Sequence, residues 1–244
     1  MKLAIDLGFL DVQWEQHITY AVEAERLGVD FAWSPEAWGY DAVTPLAYLA
    51  AKTNRIRLGT SIMQIGARTP AMIAMTAMTM AALSNDRFIL GLGVSGPQVM
   101  EGWHGVRFAH PLQRTRETIE IVRMITRGER LTYAGEIYQL PLPGGEGKSL
   151  VSSAQPRPNL PIYLATLGPK NLELTGELAN GWLGTSFIPR SKNPPSRRKQ
   201  KLKSRTAGNL QSISTREQNT FGRWGSTTQA ISTSRRATTV RFFG

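Results

Sequence analysis

No cysteine occurs anywhere in the 244 residues, which excludes disulfides, thiolate catalysis and cysteine metal sites. Histidine is almost as scarce: His17, His104 and His110 are the only ones, too scattered for a metal site, and no HExxH spacing exists. No run approaches the roughly 18 to 20 apolar residues of a membrane span, and no early segment has the charged start and apolar stretch of a signal peptide. These absences predict a cytoplasmic protein with no membrane partner. Acidic residues are missing from one region only. From Pro189 to Gly244 there are 13 Lys or Arg and a single acidic residue, Glu217, so a net charge of +11 overall becomes −1 before Pro189 and +12 after it. The basic balance therefore describes a tail and says nothing about the body.

Up to Pro189 the chain alternates strand and helix patterns. Apolar runs at Lys2 to Leu7, Val29 to Trp33, Ile56 to Ile62, Phe88 to Val94, Ile162 to Leu167 and Trp182 to Thr185 read as strands. Helical spacing falls at about residues 13–27, 42–52, 70–83, 112–127 and 170–179. Near-continuous apolar strands joined by helical crossovers predict a parallel sheet covered by helices. The stretch from Arg55 to Val99 is its central βαβ unit. A long glycine-containing loop follows Val94, and Leu131 to Leu140 reads as a hairpin turned near Ala134-Gly135. The fold class expected is α/β, a TIM (β/α)8-type barrel left incomplete at about six strands. Residues 1–189 form the barrel domain, and 190–244 form a disordered, basic, Ser/Thr-rich tail.

Small and hydroxyl residues gather where successive strands end: Gly59-Thr60-Ser61, then Gly91, Gly93, Ser95 and Gly96. In α/β folds the carboxyl ends of strands are where ligands bind, and small residues let a ligand approach the backbone; tight turns are the competing explanation. Gly168-Pro169-Lys170, after the fifth strand, opens a helix whose free N–H groups suit an anion, with the Thr166 hydroxyl nearby; an ordinary strand-to-helix turn is the alternative. Gly144 to Ser149 contains Gly-Lys-Ser but lacks the earlier glycine and the strand of a phosphate loop. Glu36, with Trp38, Tyr40 and Asp41 beside it, is the acidic residue best placed at the mouth. It is a candidate proton donor, or a group that orients a ring nitrogen; solvent exposure, with Asp41 capping the next helix, is the alternative. His104, in the long loop, either touches substrate or makes a structural hydrogen bond. His17 reads as a surface residue.

Taken together, EAWGYD after the second strand, LGTSIMQIGARTPAMIAM, LGLGVSGPQVMEGWHG and YLATLGPKNLELTGELANGWLGTSFIP resemble the bacterial luciferase-like monooxygenase superfamily, in its coenzyme F420-dependent oxidoreductase branch. The resemblance covers about Met1 to Pro189. It implies a TIM barrel that holds F420, or FMN as the alternative, at the strand ends, and hydride transfer to or from a small organic substrate. It further implies that Ser61-Ile62 is a non-proline cis peptide backing the ring, with Thr60 beside it. Gly93, Ser95 and Gly96 then line the ring, and Thr166, Gly168, Pro169 and Lys170 surround the phosphate. Intact relatives are expected to be homodimers. Relatives continue past Pro189 with two more βα units, whereas here the pattern stops. A shifted reading frame near Pro189 predicts such a change, and with it a weakened or lost activity; a natural basic extension is the alternative. The rival function is a non-enzymatic one, binding nucleic acid or anionic surfaces through the tail.

Overall fold

A computed structural model describes residues 2–8 and 13–184. In chain order these form β1 (Ala4–Asp6), α1 (Trp14–Arg26), β2 (Phe31–Ser34), α2 (Val43–Ala50), β3 (Arg57–Thr60), β4 (Met63–Gln64), a 3-10 turn (Ile65–Ala67), α3 (Pro70–Leu83) and β5 (Phe88–Gly93). There follow α4 (Pro97–Gly102), α5 (Pro111–Thr126), β6 (Tyr133–Ala134), β7 (Gln139–Leu140), β8 (Ile162–Leu164), α6 (Pro169–Leu178) and β9 (Gly181–Trp182). The parallel sheet runs β1-β2-β3-β5-β8-β9, strands in chain order, with β4 paired beside β5. It is a curled half-barrel of six strands, as the alternating pattern predicts. The expectations for 190–244, including disorder, a changed frame and nucleic-acid binding, lie outside the described residues. No helix among those described is long and apolar enough to cross a membrane.

Period-two alternation sorts the strand residues into two layers. Ile5, Ala32, Leu58, Phe88, Leu90, Leu92, Ile162 and Leu164 join the helices' apolar faces in the main core. Ala4, Phe31, Trp33, Ile89 and Leu183 form a second cluster, against which Ile62, Tyr163 and Ala165 pack. Trp33 is fully buried there, stacked on Phe31 with ring centroids 6.0 Å apart. Its bulk explains Gly59, where a Cβ would sit 2.1 Å from the Trp33 ring. Gly91 has a similar reason: a Cβ there would fall 1.8 Å from the Thr60 carbonyl oxygen. These two glycines, read in the sequence as part of a binding rim, instead let the sheet and its inner layer close up.

Three local readings are corrected. The run Ile56 to Ile62 is not one strand: β3 ends at Thr60, the Ser61–Ile62 peptide is cis, and the chain resumes as β4. The loop after Val94 contains α4, which Pro97 starts. His17 is half-buried rather than on the surface, with Nδ1 2.5 Å from the Leu7 carbonyl oxygen. Elsewhere the start signals work as expected. The Thr69 hydroxyl accepts from the Met72 N–H at 3.2 Å, and Pro70 begins α3. Asp41 accepts from the N–H groups of Val43 and Thr44, both at 2.8 Å, and so caps α2.

The hairpin β6–β7 is held to α5 by a buried carboxylate. Glu117 accepts from the Gln113 amide and the Glu136 N–H, both at 2.8 Å, from the Ile137 N–H at 3.0 Å and from the Tyr138 N–H at 2.8 Å. Burial pushes its carboxyl up, but the Gln113 amide and the N–H groups of Tyr138, Glu136 and Ile137 outweigh it and hold the group below the usual carboxylate range. A depressed folded pKa means stability that is present above the unfolded value of about 4.3 and lost as pH falls through the folded one. Glu117→Gln is expected to cost about 1–3 kcal/mol at pH 7, because an amide cannot accept at both ends and leaves a buried N–H unmatched. Relative to wild type, the deficit should shrink between about pH 5 and pH 3, below the unfolded carboxylate pKa. Urea midpoints at several pH values check this, and a deficit that does not change with pH refutes it.

Candidate functional site

The carboxyl ends of β3 and β5 lie side by side, and their residues divide into those that hold the sheet and those left over for a ligand. The Thr60 hydroxyl donates to the Gly91 carbonyl at 2.7 Å and accepts from the Gly91 N–H at 2.9 Å, so its proton is committed to bridging the two strands. Ser61 differs. Its hydroxyl is buried and finds no hydrogen-bond partner among the described residues. Ile62 packs against β5 at Gly93, where a Cβ would meet the Ile62 side chain at 2.9 Å. Ser95 adopts a left-handed backbone, φ 58°, a conformation that costs a non-glycine residue about 1–3 kcal/mol and persists where its surroundings impose it. Beside it a Cβ on Gly96 would meet nothing within 4 Å, so space opens there.

Next to this ledge four polar side chains interlock. Glu36, in the segment after β2, receives both guanidinium nitrogens of Arg68, Nη1 to Oε1 at 2.5 Å and Nη2 to Oε2 at 2.8 Å. The N–H groups of Gln64 and Ala42 donate to the same two oxygens, each at 3.1 Å. The carboxylate side chain is 8% accessible and its guanidinium partner 21%. Bonding to Glu36 holds Arg68 still further above its ordinary range. With two donors on each oxygen, Glu36 has no free face to turn toward a substrate. The buried Gln64 side chain donates from Nε2 to the Ala37 carbonyl at 2.6 Å, and its Oε1 lies 2.9 Å from Nε2 of His104. His104 itself is exposed, just beyond α4, and its backbone N–H bonds to the Val99 carbonyl at 3.1 Å.

At the start of α6, Gly168 is the N-cap with φ 84°, Pro169 follows it, and Lys170 is exposed. The first-turn N–H groups and the Lys170 ammonium suit an anion. Thr166 is less available than its position suggests. The Thr175 hydroxyl gives its one proton to the Asn171 carbonyl at 2.8 Å, so at the 2.7 Å contact between the two threonines Thr166 must be the donor. Its proton is committed, and a phosphate, which only accepts, would have to displace that bond. No cluster of metal-ligating side chains exists among the described residues.

The family model for luciferase-like monooxygenases matches residues 8–195, a span that includes every residue of this site. The chain belongs to that family. A Mycobacterium tuberculosis protein provisionally named a coenzyme F420-dependent oxidoreductase is 49% identical over 197 residues, covering 78% of this chain and 57% of that protein. The 5,10-methylenetetrahydromethanopterin reductase of Archaeoglobus fulgidus is 32% identical over 191 residues, covering 78% of this chain and 54% of its own. The chain thus spans somewhat more than half the length of these relatives. Among solved structures, an F420-dependent secondary alcohol dehydrogenase in complex with an F420-acetone adduct superposes with a TM-score of 0.67 at 19% identity, over 87% of this chain and 67% of that one. At that identity the likeness speaks for the fold.

Within this luciferase-like chain, then, Glu36 and His104, the two proton-handling candidates, meet through Gln64. Ser61, Ile62, Gly93, Ser95 and Gly96 fall at the ends of two paired strands, while Gly168, Pro169 and Lys170 sit at a separate helix start. Gln64 and Arg68 were not singled out from the sequence. A signal for Arg68 existed: a carboxylate expected among aromatics needs a cation, and the only basic residue between Ile62 and Asn85 is Arg68.

Proposed function

We propose that these residues form the cofactor-binding part of an oxidoreductase that transfers a hydride between the ring of coenzyme F420 and a small organic substrate such as an alcohol, aldehyde or enone, with FMN as the alternative cofactor. The observation that carries this reading is the buried Ser61 hydroxyl without a partner, at the carboxyl end of β3 and beside the ledge of Ile62 on Gly93. A buried hydroxyl left unbonded costs about 1–3 kcal/mol, and the polar edge of a tricyclic ring is the kind of group that would complete it. The 49% identity to a protein named for F420 supports that cofactor over FMN.

When bound, the cofactor supplies the two-electron chemistry, and the chain supplies binding, orientation and proton handling. Ile62, seated on Gly93, would give the ring an apolar backing, and Ser95 and Gly96 would line it, Gly96 leaving open space. Thr60 holds the two strands at their spacing. The α6 start, Gly168, Pro169 and Lys170, takes the phosphate through N–H groups and an ammonium. His104, exposed and, among the described residues, hydrogen-bonded through one ring nitrogen, Nε2, handles the substrate proton, and Glu36 acts through Arg68 and Gln64 as a positioning group. Residues 1–189 make up this unit, and a second copy of the chain is the expected partner.

Titrating the full chain with F420 and with FMN, followed by cofactor fluorescence, tests the reading. Saturable F420 binding is expected, at least ten-fold tighter than FMN, and Ser61→Val should weaken it about ten-fold by leaving the ring edge unbonded, a loss near 1.4 kcal/mol. No saturable binding of either cofactor would overturn the proposal.

A further inference from the structure

We infer that Gln64 is a positioning residue that fixes which nitrogen of His104 carries hydrogen, so that the imidazole always offers Nδ1 to a substrate proton. The inference rests on the oxidoreductase reading and adds to it a residue with its own role. The Ala37 carbonyl oxygen faces the end of the Gln64 side chain. A backbone carbonyl can only accept, so the Gln64 atom 2.6 Å from it must be the amide nitrogen. The reversed amide would set two oxygens against each other at that distance. Gln64 Oε1 therefore points the other way, at His104, and the imidazole nitrogen 2.9 Å from it must be the donor. In neutral imidazole one nitrogen donates and the other accepts, so with hydrogen on Nε2 the acceptor is Nδ1.

Gln64 has little freedom to give way. Its side chain is fully buried, its residue pairs with Gly93 of β5, and its N–H is held by Glu36, which Arg68 clamps from the other side. Both the neutral ring with hydrogen on Nε2 and the imidazolium satisfy the Gln64 acceptor. The ring can thus gain and lose a proton at Nδ1 without disturbing the bond that places it. The step is a proton transfer alone: the substrate O–H bond breaks, its electron pair stays on oxygen, and an Nδ1–H bond forms; reversal returns the proton. Among the described residues the charged groups around this chain of contacts include Glu36 and Arg68, which neutralise each other, Asp41, whose carboxylate also acts on Arg68, and, on the segment carrying His104, Glu101, which accepts from the Phe108 N–H at 3.0 Å, and Arg107.

The test is nitrogen-15 NMR on the labelled full chain, in which only three histidines need assignment, by His17→Gln and His110→Gln. In the neutral wild-type ring the His104 Nε2 is expected to give the signal of a nitrogen bonded to hydrogen, and Nδ1 that of a bare acceptor nitrogen. Gln64→Leu should lose that signal and give the averaged nitrogens of a free imidazole. Hydrogen on Nδ1 in the neutral wild-type ring, or an unchanged spectrum in Gln64→Leu, would overturn the inference. Should Gln64→Leu fail to fold, the wild-type spectrum still decides it, by which ring nitrogen carries the hydrogen. Titrating the same samples with F420 and with FMN keeps the two claims apart: absent binding of both with a fixed Nε2–H sinks the oxidoreductase reading alone.

Discussion

Arg68→Ala is expected to destabilise the fold by about 3–5 kcal/mol, the cost of leaving a buried carboxylate without its cation. The magnitude follows from how enclosed the pair is. With 8% of the Glu36 side chain and 21% of the Arg68 side chain accessible, water cannot take over the role of the missing guanidinium. A two-point contact at 2.5 and 2.8 Å would be lost at once. The N–H groups of Ala42 and Gln64 remain as partners, which keeps the penalty below that of a bare buried charge. Removing both charges with Glu36→Leu and Arg68→Leu should recover part of the loss, since apolar pairs often replace buried ion pairs at little cost, but not all of it. Those two backbone donors then go unmatched, at about 1–3 kcal/mol. A urea-unfolding double-mutant cycle reads the coupling directly. A cost below about 1 kcal/mol for Arg68→Ala, the level of a surface pair, would mean the contact holds nothing together.

That pair also marks where sequence reading stopped. The strands were legible because Phe88 to Val94 and Ile162 to Leu167 are apolar runs too short for helices. The helices were legible because Thr69-Pro70, Pro111 and Gly168-Pro169 announce their starts. Order in the sheet followed from strict alternation of the two. The Ser61–Ile62 cis bond came from the resemblance, since no periodicity encodes a single peptide's isomer, whereas Ser61, Gly93, Ser95 and Gly96 were already marked by small residues gathering at strand ends. What stayed hidden were contacts between residues far apart in the chain. Glu36 meets Arg68 across 32 positions, Gln64 meets His104 across 40, and Glu117 reaches the hairpin 19 to 21 positions on. Each is a polar group satisfied by a partner that only the fold brings near. Glycine misled in a related way: one residue type serves both ligand approach and close packing, and Gly59 and Gly91 turn out to be packing glycines while Gly96 faces open space.

The separation of glycine roles predicts a graded series that ends in the largest effect expected for any single substitution here. Gly96→Ala should change stability by no more than about 0.5 kcal/mol, because its backbone is extended at φ −141° and the new methyl meets nothing within 4 Å. Gly66→Ala brings a methyl to 2.3 Å from the end of the Met100 side chain, a flexible neighbour that can swing aside, and should cost about 1–3 kcal/mol as ordinary overpacking. Gly91→Ala has no such outlet. The methyl would lie 1.8 Å from the Thr60 carbonyl oxygen and 2.9 Å from Leu183, so the backbones of β3 and β5 must part. Parting them breaks both Thr60 hydroxyl bonds to Gly91, at 2.7 and 2.9 Å, and strains the Leu58–Phe88 and Gly59–Ile89 pairing beside them. It also moves the Ser61–Ile62 ledge relative to Gly93. The cost should exceed about 4 kcal/mol, a value reached only when packing, hydrogen bonds and backbone fail together. A loss of that size leaves little of the roughly 5–15 kcal/mol that stabilises a native protein. Soluble yield and circular-dichroism melts of the three variants rank the effects. A Gly91→Ala protein that melts within a few degrees of wild type would show that β3 and β5 do not meet in this register, and the candidate site built on their ends would fall with it.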